Sequence, residues 1–367
     1  MFKFSSLVDS LPSSVPFVGP ETQERQLSAI FKARIGANEN VFGPSPLAIE
    51  AMEKASKNLW MYGDPENYDL KHALAEHHQI NSNEIIVGEG IDGLLGYIAR
   101  MFIEPGDAVV TSDGAYPTFN FHVSGYGGKL HKVPYKNDME DPDALIKKAI
   151  EVKAKLIYIA NPDNPMGTVH SGSIISRMIK LVPDNCVLIL DEAYIEFADE
   201  QEAPKLDPSS SKVIRMRTFS KGYGLAGARV GYGIGHPNLI KAFDKVRNHF
   251  GMNRVSQIGA LKALQDREHL ERTQYLVKLS RDEITRIAIN NGLKPIPSAA
   301  NFVCVDCNLD GEFSRKILKE LIINGIFVRM PFVAPQDRAI RISCGTNKDL
   351  KLLEKALPKI LSAVGTN

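Results

Sequence analysis

Asp191 directly follows the apolar run 187–190, and Lys221 follows the run 213–216 in the loop Thr218-Phe219-Ser220-Lys221-Gly222-Tyr223-Gly224. A carboxylate at the end of an apolar strand is costly to bury unless it meets a cation. Taken singly, Asp191 reads equally well as a helix cap, and Lys221 as an exposed loop lysine. Together they read differently, because consecutive strand ends aim both at one crevice. A buried aspartate facing a pyridinium nitrogen, with a lysine able to form a Schiff base, is the protein's share of pyridoxal phosphate chemistry.

Other strand ends add polar groups to the same rim. The run 85–87 leads into Gly88-Glu89-Gly90-Ile91-Asp92-Gly93, the run 108–111 into Ser112-Asp113-Gly114-Ala115-Tyr116, and the run 156–160 into Asn161-Pro162-Asp163-Asn164-Pro165. The glycine loop matches G-x-G-x-x-G, and Asp113 stands about 20 residues beyond Gly93, as in a dinucleotide fingerprint. It fits equally a phosphate held by backbone N–H groups at a helix N-terminus, or a plain tight turn. Thr218 and Ser220 would add hydroxyls to a phosphate, and Tyr116 is either a ring to stack on a cofactor or ordinary packing.

Strands must carry these loops. Short apolar runs at 85–87, 108–111, 130–133, 156–160, 187–190, 213–216 and 229–234 alternate with amphipathic stretches. Seven strands with interleaved helices predict an α/β fold, a three-layer α/β/α arrangement around a mostly parallel seven-stranded sheet. Ligands of such sheets sit at the carboxyl ends of the strands. Residues 45–59 and 67–79 read as helices, and 238–290 as long helix. Strands near 301–305, 326–329 and 339–343, with helices at 312–324 and 347–363, predict a smaller α+β domain. The expected division is an N-terminal arm at 1–37, extended over its first 35 residues and forming part of the small domain, a large domain at 38–255 and the small C-terminal domain at 256–367.

With 367 residues, 44% apolar and 24% charged, the chain can bury a large core and is not disordered. A net charge of +1 removes the main argument for nucleic acid or an anionic membrane as partner. No apolar stretch is long enough for a membrane span or a signal peptide. Cys304 and Cys307 form an isolated C-x-x-C without the further ligands that zinc needs. With Cys186 and Cys344 they read as buried thiols, no metal is expected, and the cysteine usage fits the cytoplasm.

The assembled residues resemble the fold-type I pyridoxal phosphate aminotransferases, and more narrowly the histidinol-phosphate aminotransferase branch. The resemblance rests on Ala37-Asn38-Glu39-Asn40, Gly43-Pro44-Ser45-Pro46, Tyr62-Gly63-Asp64-Pro65, Asn161-Pro162-Asp163-Asn164-Pro165-Met166-Gly167 and Leu190-Asp191-Glu192-Ala193-Tyr194. It continues through Thr218-Phe219-Ser220-Lys221, Gly227-Ala228-Arg229-Val230-Gly231, Asn301-Phe302 and Ile340-Arg341-Ile342-Ser343-Cys344-Gly345, in order over nearly the whole chain. It implies that Lys221 links the cofactor and moves the proton between substrate Cα and cofactor C4′. Asp191 would keep the ring nitrogen protonated, and Asn164 and Tyr194 would hydrogen-bond the phenolate oxygen. Gly90 and the backbone N–H groups of Ile91 and Asp92, with Thr218, Ser220 and Arg229, would hold the phosphate. Tyr116 would stack on the ring, and Tyr62 would reach the phosphate of the other subunit of a homodimer. Arg341 would clamp the substrate carboxylate, although strand alternation against Ile340 and Ile342 alone predicts an exposed arginine. Arg329 and Asn38 join it as substrate-binding residues.

The expected reaction is transamination between an amino donor, histidinol phosphate first, and a 2-oxo acid such as 2-oxoglutarate. Three departures keep an aromatic or bulky amino acid open as donor. Ile91-Asp92-Gly93 replaces the family's frequent Ser-Asp-Glu, Asp163 and Met166 replace the usual Asn and Thr, and Arg329 is followed by apolar Met330-Pro331-Phe332-Val333-Ala334-Pro335. Arg247-Asn248-His249-Phe250 is also unusual. Other readings are a related lyase or decarboxylase, an NAD(P)-dependent oxidoreductase resting on Gly88, Gly90, Gly93 and Asp113, and a silent binding protein.

Overall fold

A computed structural model describes residues 2–12 and 18–365. Residue 1 and residues 13–17 of the expected N-terminal arm, and the last two of the chain, lie outside the described residues. All seven expected runs are strands of one sheet: β2 (Ile85–Gly88), β3 (Ala108–Ser112), β4 (Lys129–Val133), β5 (Leu156–Ala160), β6 (Val187–Asp191), β7 (Val213–Thr218) and β8 (Gly231–Gly235). Their order is β2-β8-β7-β6-β5-β3-β4. The strands from β3 to β7 pair in parallel, while β8 runs antiparallel to both of its neighbours.

The period-two alternation of β5 and β6 feeds two separate cores, as a sheet covered on both faces requires. Leu156, Tyr158 and Ile189 pack with Leu94, Leu95 and Ile98 of the helix Gly90–Phe102. On the other face, Ile157, Ile159, Leu188 and Leu190 pack with Leu145 and Ile146 of the helix Pro142–Val152 and with Ile175. That second helix starts where Asp141 accepts from the N–H groups of Asp143 and Ala144, with Pro142 at its first position.

A separate core joins both chain ends. β10 (Phe302–Asp306) pairs antiparallel with β9 (Lys294–Pro295) and β12 (Ala339–Ser343). β1 (Ala33–Arg34) pairs in parallel with β11 (Ile326–Phe327). The helices Arg267–Asn290, Gly311–Ile323 and Asn347–Gly365 cover these strands.

Two expectations need correcting. The N-terminal segment is not extended throughout, for Ser6–Ser10 and Pro20–Leu27 are helical. Pro20 at the start of the second helix is buried, and Arg34 pairs with Glu21 at 2.7 Å. The long helix of 238–290 is interrupted. Pro237–Ala242 tightens into the 3₁₀ turn Phe243–Lys245 and then an irregular stretch, after which Arg254–Gln265 and Arg267–Asn290 follow. Asn253 accepts from Ser256 N and Asp266 from His269 N, and each local cap competes with helix continuation. The four cysteines are buried free thiols, and among the described residues no three His, Cys, Asp or Glu are grouped to hold a metal. Among them, too, no helix is long and apolar enough to cross a membrane.

Glu192 is fully buried beside Asp191 yet faces away from it. Arg215 meets it with two bonds (2.6 and 3.0 Å), and Arg217 adds a third (2.9 Å). Burial pushes the Glu192 carboxyl up, but the two guanidiniums outweigh it and hold it below the usual range. Arg215→Met should remove about 3–5 kcal/mol of stability by leaving a buried carboxylate half-neutralised. Urea midpoints at constant m-value check this, and a loss below about 1 kcal/mol would contradict it.

Candidate active site

The strand order reverses between β3 and β5, and the crevice opened there is where such sheets bind ligands. A cavity of about 270 Å³ fills it. It takes Tyr116 from the loop after β3, Asn164 from that after β5, and Asp191 and Tyr194 from the end of β6. The end of β7 and its loop supply Thr218, Ser220 and Lys221, and Ile91 and Asp92 come from the first turn of the helix Gly90–Phe102. Arg229, Asn38, Arg329 and Arg341 complete the predicted residues that line it.

Asp191 is 5% exposed. Its carboxylate accepts from Tyr158 Oη at 2.6 Å and from Ala193 N at 3.0 Å, both neutral donors. Burial pushes the carboxyl up to about 6, against the pull of those two bonds. It is still mainly ionised at neutral pH, and a cationic ring nitrogen in the cavity would complete its pairing. Tyr158 was hidden inside an apolar run. The only signal was that a tyrosine in a fully buried strand needs a partner for its hydroxyl.

Lys221 Nζ donates to Asn38 O at 3.0 Å and lies 5.6 Å from the centre of the Tyr194 ring. Burial, then the like charge of Arg341, pushes its amine down to about 8. Asn38 is held in the left-handed region (φ +55°) by Ser343, whose hydroxyl accepts from Asn38 N and donates to Asn38 Oδ1, both at 2.9 Å. Asn301 Nδ2 donates to the same carbonyl as Lys221, at 3.1 Å. Asn38 Nδ2 and Asn164 Nδ2 both donate to Tyr194 Oη, at 3.0 and 3.2 Å. That hydroxyl keeps its own hydrogen to offer to the cavity, and burial holds it protonated, pushed up to about 12.

A cradle of donors closes the other end. Thr218 Oγ1 donates to Ser220 Oγ at 2.9 Å, and Arg229 Nη1 reaches Ser220 Oγ at 3.4 Å. Arg229 Nη2 and Tyr116 Oη both bond the Asp92 carboxylate, at 3.4 and 3.0 Å. Gly90 has φ +75°, and a Cβ there would sit 2.4 Å from Arg229 Nη2. A Cβ on Gly231 would lie 2.7 Å from the carbonyl carbon of Gly90 and from Ile91 N. Two bare backbones thus keep the first-turn N–H groups of the helix open to an anion.

Arg341 is 9% exposed, which corrects the expectation of an exposed strand arginine. Its guanidinium stands 5.3 Å from the centre of the Phe302 ring, Nη1 donates to Asn164 Oδ1, and its buried Nε has no partner. An isolated antiparallel bridge sets Arg329 beside it, with Arg341 N donating to Arg329 O at 2.6 Å. Arg329 Nη2 donates to Val18 O at 2.9 Å. Tyr62 is not brought to this cavity. It is 77% exposed, with its ring 5.0 Å from that of Phe250. Asp113 does not line the cavity either and pairs with Lys132 at 3.1 Å, so the dinucleotide reading lacks its ribose ligand. The donor set fits pyridoxal phosphate: a carboxylate wanting a cation, a free hydroxyl donor, an amine and an anion cradle.

Residues 32–360 match the family model described as aminotransferase class I and II. A histidinol-phosphate aminotransferase from Moorella thermoacetica is 33% identical over 357 residues, 96% of this chain and 92% of the relative. A second such enzyme, from Hydrogenovibrio crunogenus, is 35% identical, over 93% of this chain and 91% of the relative. The crystal structure of a histidinol-phosphate aminotransferase from Sinorhizobium meliloti, in complex with pyridoxal 5'-phosphate, superposes with a TM-score of 0.96 at 47% identity, covering 99% of each chain. An aspartate aminotransferase from Thermus thermophilus shares the fold, with a TM-score of 0.82 at 20% identity over 98% of this chain.

Gly231→Ala should displace the first turn of the helix Gly90–Phe102 and misdirect its N–H groups. The expected result is a fold retained by circular dichroism and an affinity for pyridoxal 5'-phosphate weakened about ten- to a hundredfold. Equilibrium titration checks it, and unchanged affinity would remove the cradle argument.

Proposed function

The chain belongs to the class I and II aminotransferase family, and from that premise we propose a pyridoxal phosphate-dependent aminotransferase that takes histidinol phosphate as amino donor and 2-oxoglutarate as acceptor. The observation that carries the transamination reading is the convergence of Lys221 and Asp191 on one cavity that also holds Arg341. The 47% identity to the Sinorhizobium enzyme over 99% of the chain supports the donor. So do two arginines, Arg329 and Arg341, on a single cavity, since one cation can take a substrate phosphate and the other a carboxylate.

Bound there, pyridoxal phosphate supplies the electron sink that stabilises charge at the substrate Cα. Asp191 would hold its ring nitrogen protonated, and Tyr158 and Ala193 N keep that carboxylate aimed. Tyr194 and Asn164 would hydrogen-bond its phenolate oxygen. Tyr116 would lie against the ring, with its hydroxyl tied to Asp92. Thr218, Ser220, Arg229 and the N–H groups of Ile91 and Asp92 would hold its phosphate. Lys221, as a free amine, takes the proton from the substrate Cα and returns it on the other side of the transferred nitrogen. Its short tether to the loop after β7 keeps the amine on one face of the site. Asn38 O offers it a resting acceptor.

Residues 38–255 would act as the cofactor-holding unit. The small unit, residues 256–367 with the N-terminal 1–37, brings Arg329 and Arg341 over it. Tyr62, with exposed Trp60 and Phe250 nearby in sequence or space, would face a second copy in a homodimer and reach its phosphate site. A cytoplasmic location fits four free thiols.

Single donors added to the purified holoenzyme test the substrate. Histidinol phosphate should bleach the absorption band of the bound cofactor in one turnover, and Phe and Tyr should not. The opposite pattern would assign the pocket to aromatic donors through Met330 and Phe332. Lys221→Ala should lower the half-reaction rate by about 10²–10⁴ or more while the cofactor still binds. An amine pushed down to about 8 is a base only when neutral. The rate should therefore rise about tenfold per pH unit below 8 and level off above it. A flat profile from pH 6 to 8 would exclude the free Lys221 amine as the limiting base.

A further inference from the structure

One layer beneath the cavity, two carboxyl groups touch. Asp163, in the loop after β5, and Glu140, just before the helix Pro142–Val152, are each 2% exposed and lie within hydrogen-bond reach of each other. Their other partners are neutral donors. Tyr135 Oη (2.8 Å) and the N–H groups of Met166 (2.9 Å) and Asn164 bond Asp163. Ser112 Oγ (2.5 Å) and Ala160 N (2.8 Å) bond Glu140.

The surrounding cations are engaged elsewhere. Arg338 is bound by Asp138 and Asp306, and Arg341 Nη1 by Asn164 Oδ1. The ring of His170 meets the backbone carbonyl of Glu140 at 2.7 Å and not its carboxyl. From β10, the Cys304 thiol faces the Pro165 carbonyl at 3.0 Å, and Tyr158, Tyr194 and Asp191 stand on the cavity side. Two carboxylates without a cation cannot stay in contact unless a proton lies between them.

We propose that Glu140 and Asp163 share one proton at neutral pH, Glu140 donating to Asp163, and that this bond positions Asn164 for the site above. Asp163 is the ionised member because three donors, Tyr135 Oη and two N–H groups, bond it against two on Glu140. Burial, and then the facing Asp163, holds the Glu140 carboxyl well above the usual carboxylate range. The next residue along, Asn164, bonds both Tyr194 Oη and Arg341 Nη1. The loop itself is closed by Asp163 N on Thr168 O (2.8 Å) and Gly167 N on Asp163 O (3.1 Å). Loss of the proton puts two like charges in contact in a dry interior, and the loop carrying Asn164 must give way. Asp163 and Glu140 are thus positioning residues, and only this last link rests on the proposed function.

Infrared spectroscopy of the purified full-length protein tests the proton directly. At pH 8.5 the wild type should show the carbonyl stretch of one protonated carboxylic acid. Glu140→Gln should abolish it, and Asp163→Asn should shift it to higher frequency, because the buried acid then loses its carboxylate acceptor. Glu196→Gln should do neither, although burial pushes Glu196 up to about 7. Between pH 6 and 9 the folded wild type holds a proton that the unfolded chain has released. Its folding equilibrium should therefore weaken with rising pH, by up to tenfold per unit, relative to Glu140→Gln. The pH at which the bound-cofactor band collapses on the alkaline side should move upward in both variants. Absence of the acid band at pH 8.5, its survival in Glu140→Gln, or an unshifted band in Asp163→Asn overturns the shared proton whatever the enzyme's substrate. Loss of the band with an unmoved alkaline collapse overturns the positioning role.

Discussion

The site is organised around a carboxylate kept in a place where water cannot serve it. Asp191 ends β6 with 5% of its surface exposed, and its partners in the chain, Tyr158 and Ala193 N, are neutral. An anion so placed stabilises any cation that enters the cavity far more than it would in water. Everything that holds it there is register. β5 and β6 pair with Tyr158 opposite Ile189 and Ala160 opposite Asp191. Residues two apart share a face, so the tyrosine hydroxyl reaches diagonally to the carboxylate. A slip of one residue would send Asp191 to the other face and Glu192 into the crevice.

The same alternation explains why two adjacent carboxylates have opposite fates. Glu192, one position on, turns toward Arg215 and Arg217 and is neutralised inside the chain. Asp191 keeps only neutral partners and lines the cavity. Lys221 shows the complementary logic, since burial and Arg341 lower its proton affinity so that a neutral amine is accessible near working pH. Asn38 and Asn164 join these centres. Asn38 contacts Lys221 and Tyr194, and Asn164 contacts Tyr194 and Arg341. Through the shared Tyr194 hydroxyl, the sheet and the C-terminal strands read each other's position.

Much of this was legible in the chain itself. The seven runs of the sheet, the polar loops at their carboxyl ends and the placing of Asp191 and Lys221 on one rim follow from period-two patterning and from where polar residues interrupt it. Strand periodicity is local, set by which face of a few consecutive residues meets the core. The caps at Asn253 and Asp266 were visible residues too, yet their power to break a long amphipathic pattern depended on what the chain packed against.

Other features belonged to the tertiary structure alone. Arg341 looked exposed by alternation because its strand has a covered second face only once Phe302, Asn164 and Gly36 arrive from distant segments. Tyr158 looked like core until a carboxylate from the next strand met its hydroxyl. Asp163 looked like a minor replacement in a loop until Glu140 was found against it. Hydrophobic period and the succession of strands and helices along the chain are written residue by residue, and they determined the fold class and the rim. Pairing of buried charges and hydroxyls is decided by groups far apart in the chain, because an isolated polar residue carries no local sign of the partner that will make its burial affordable.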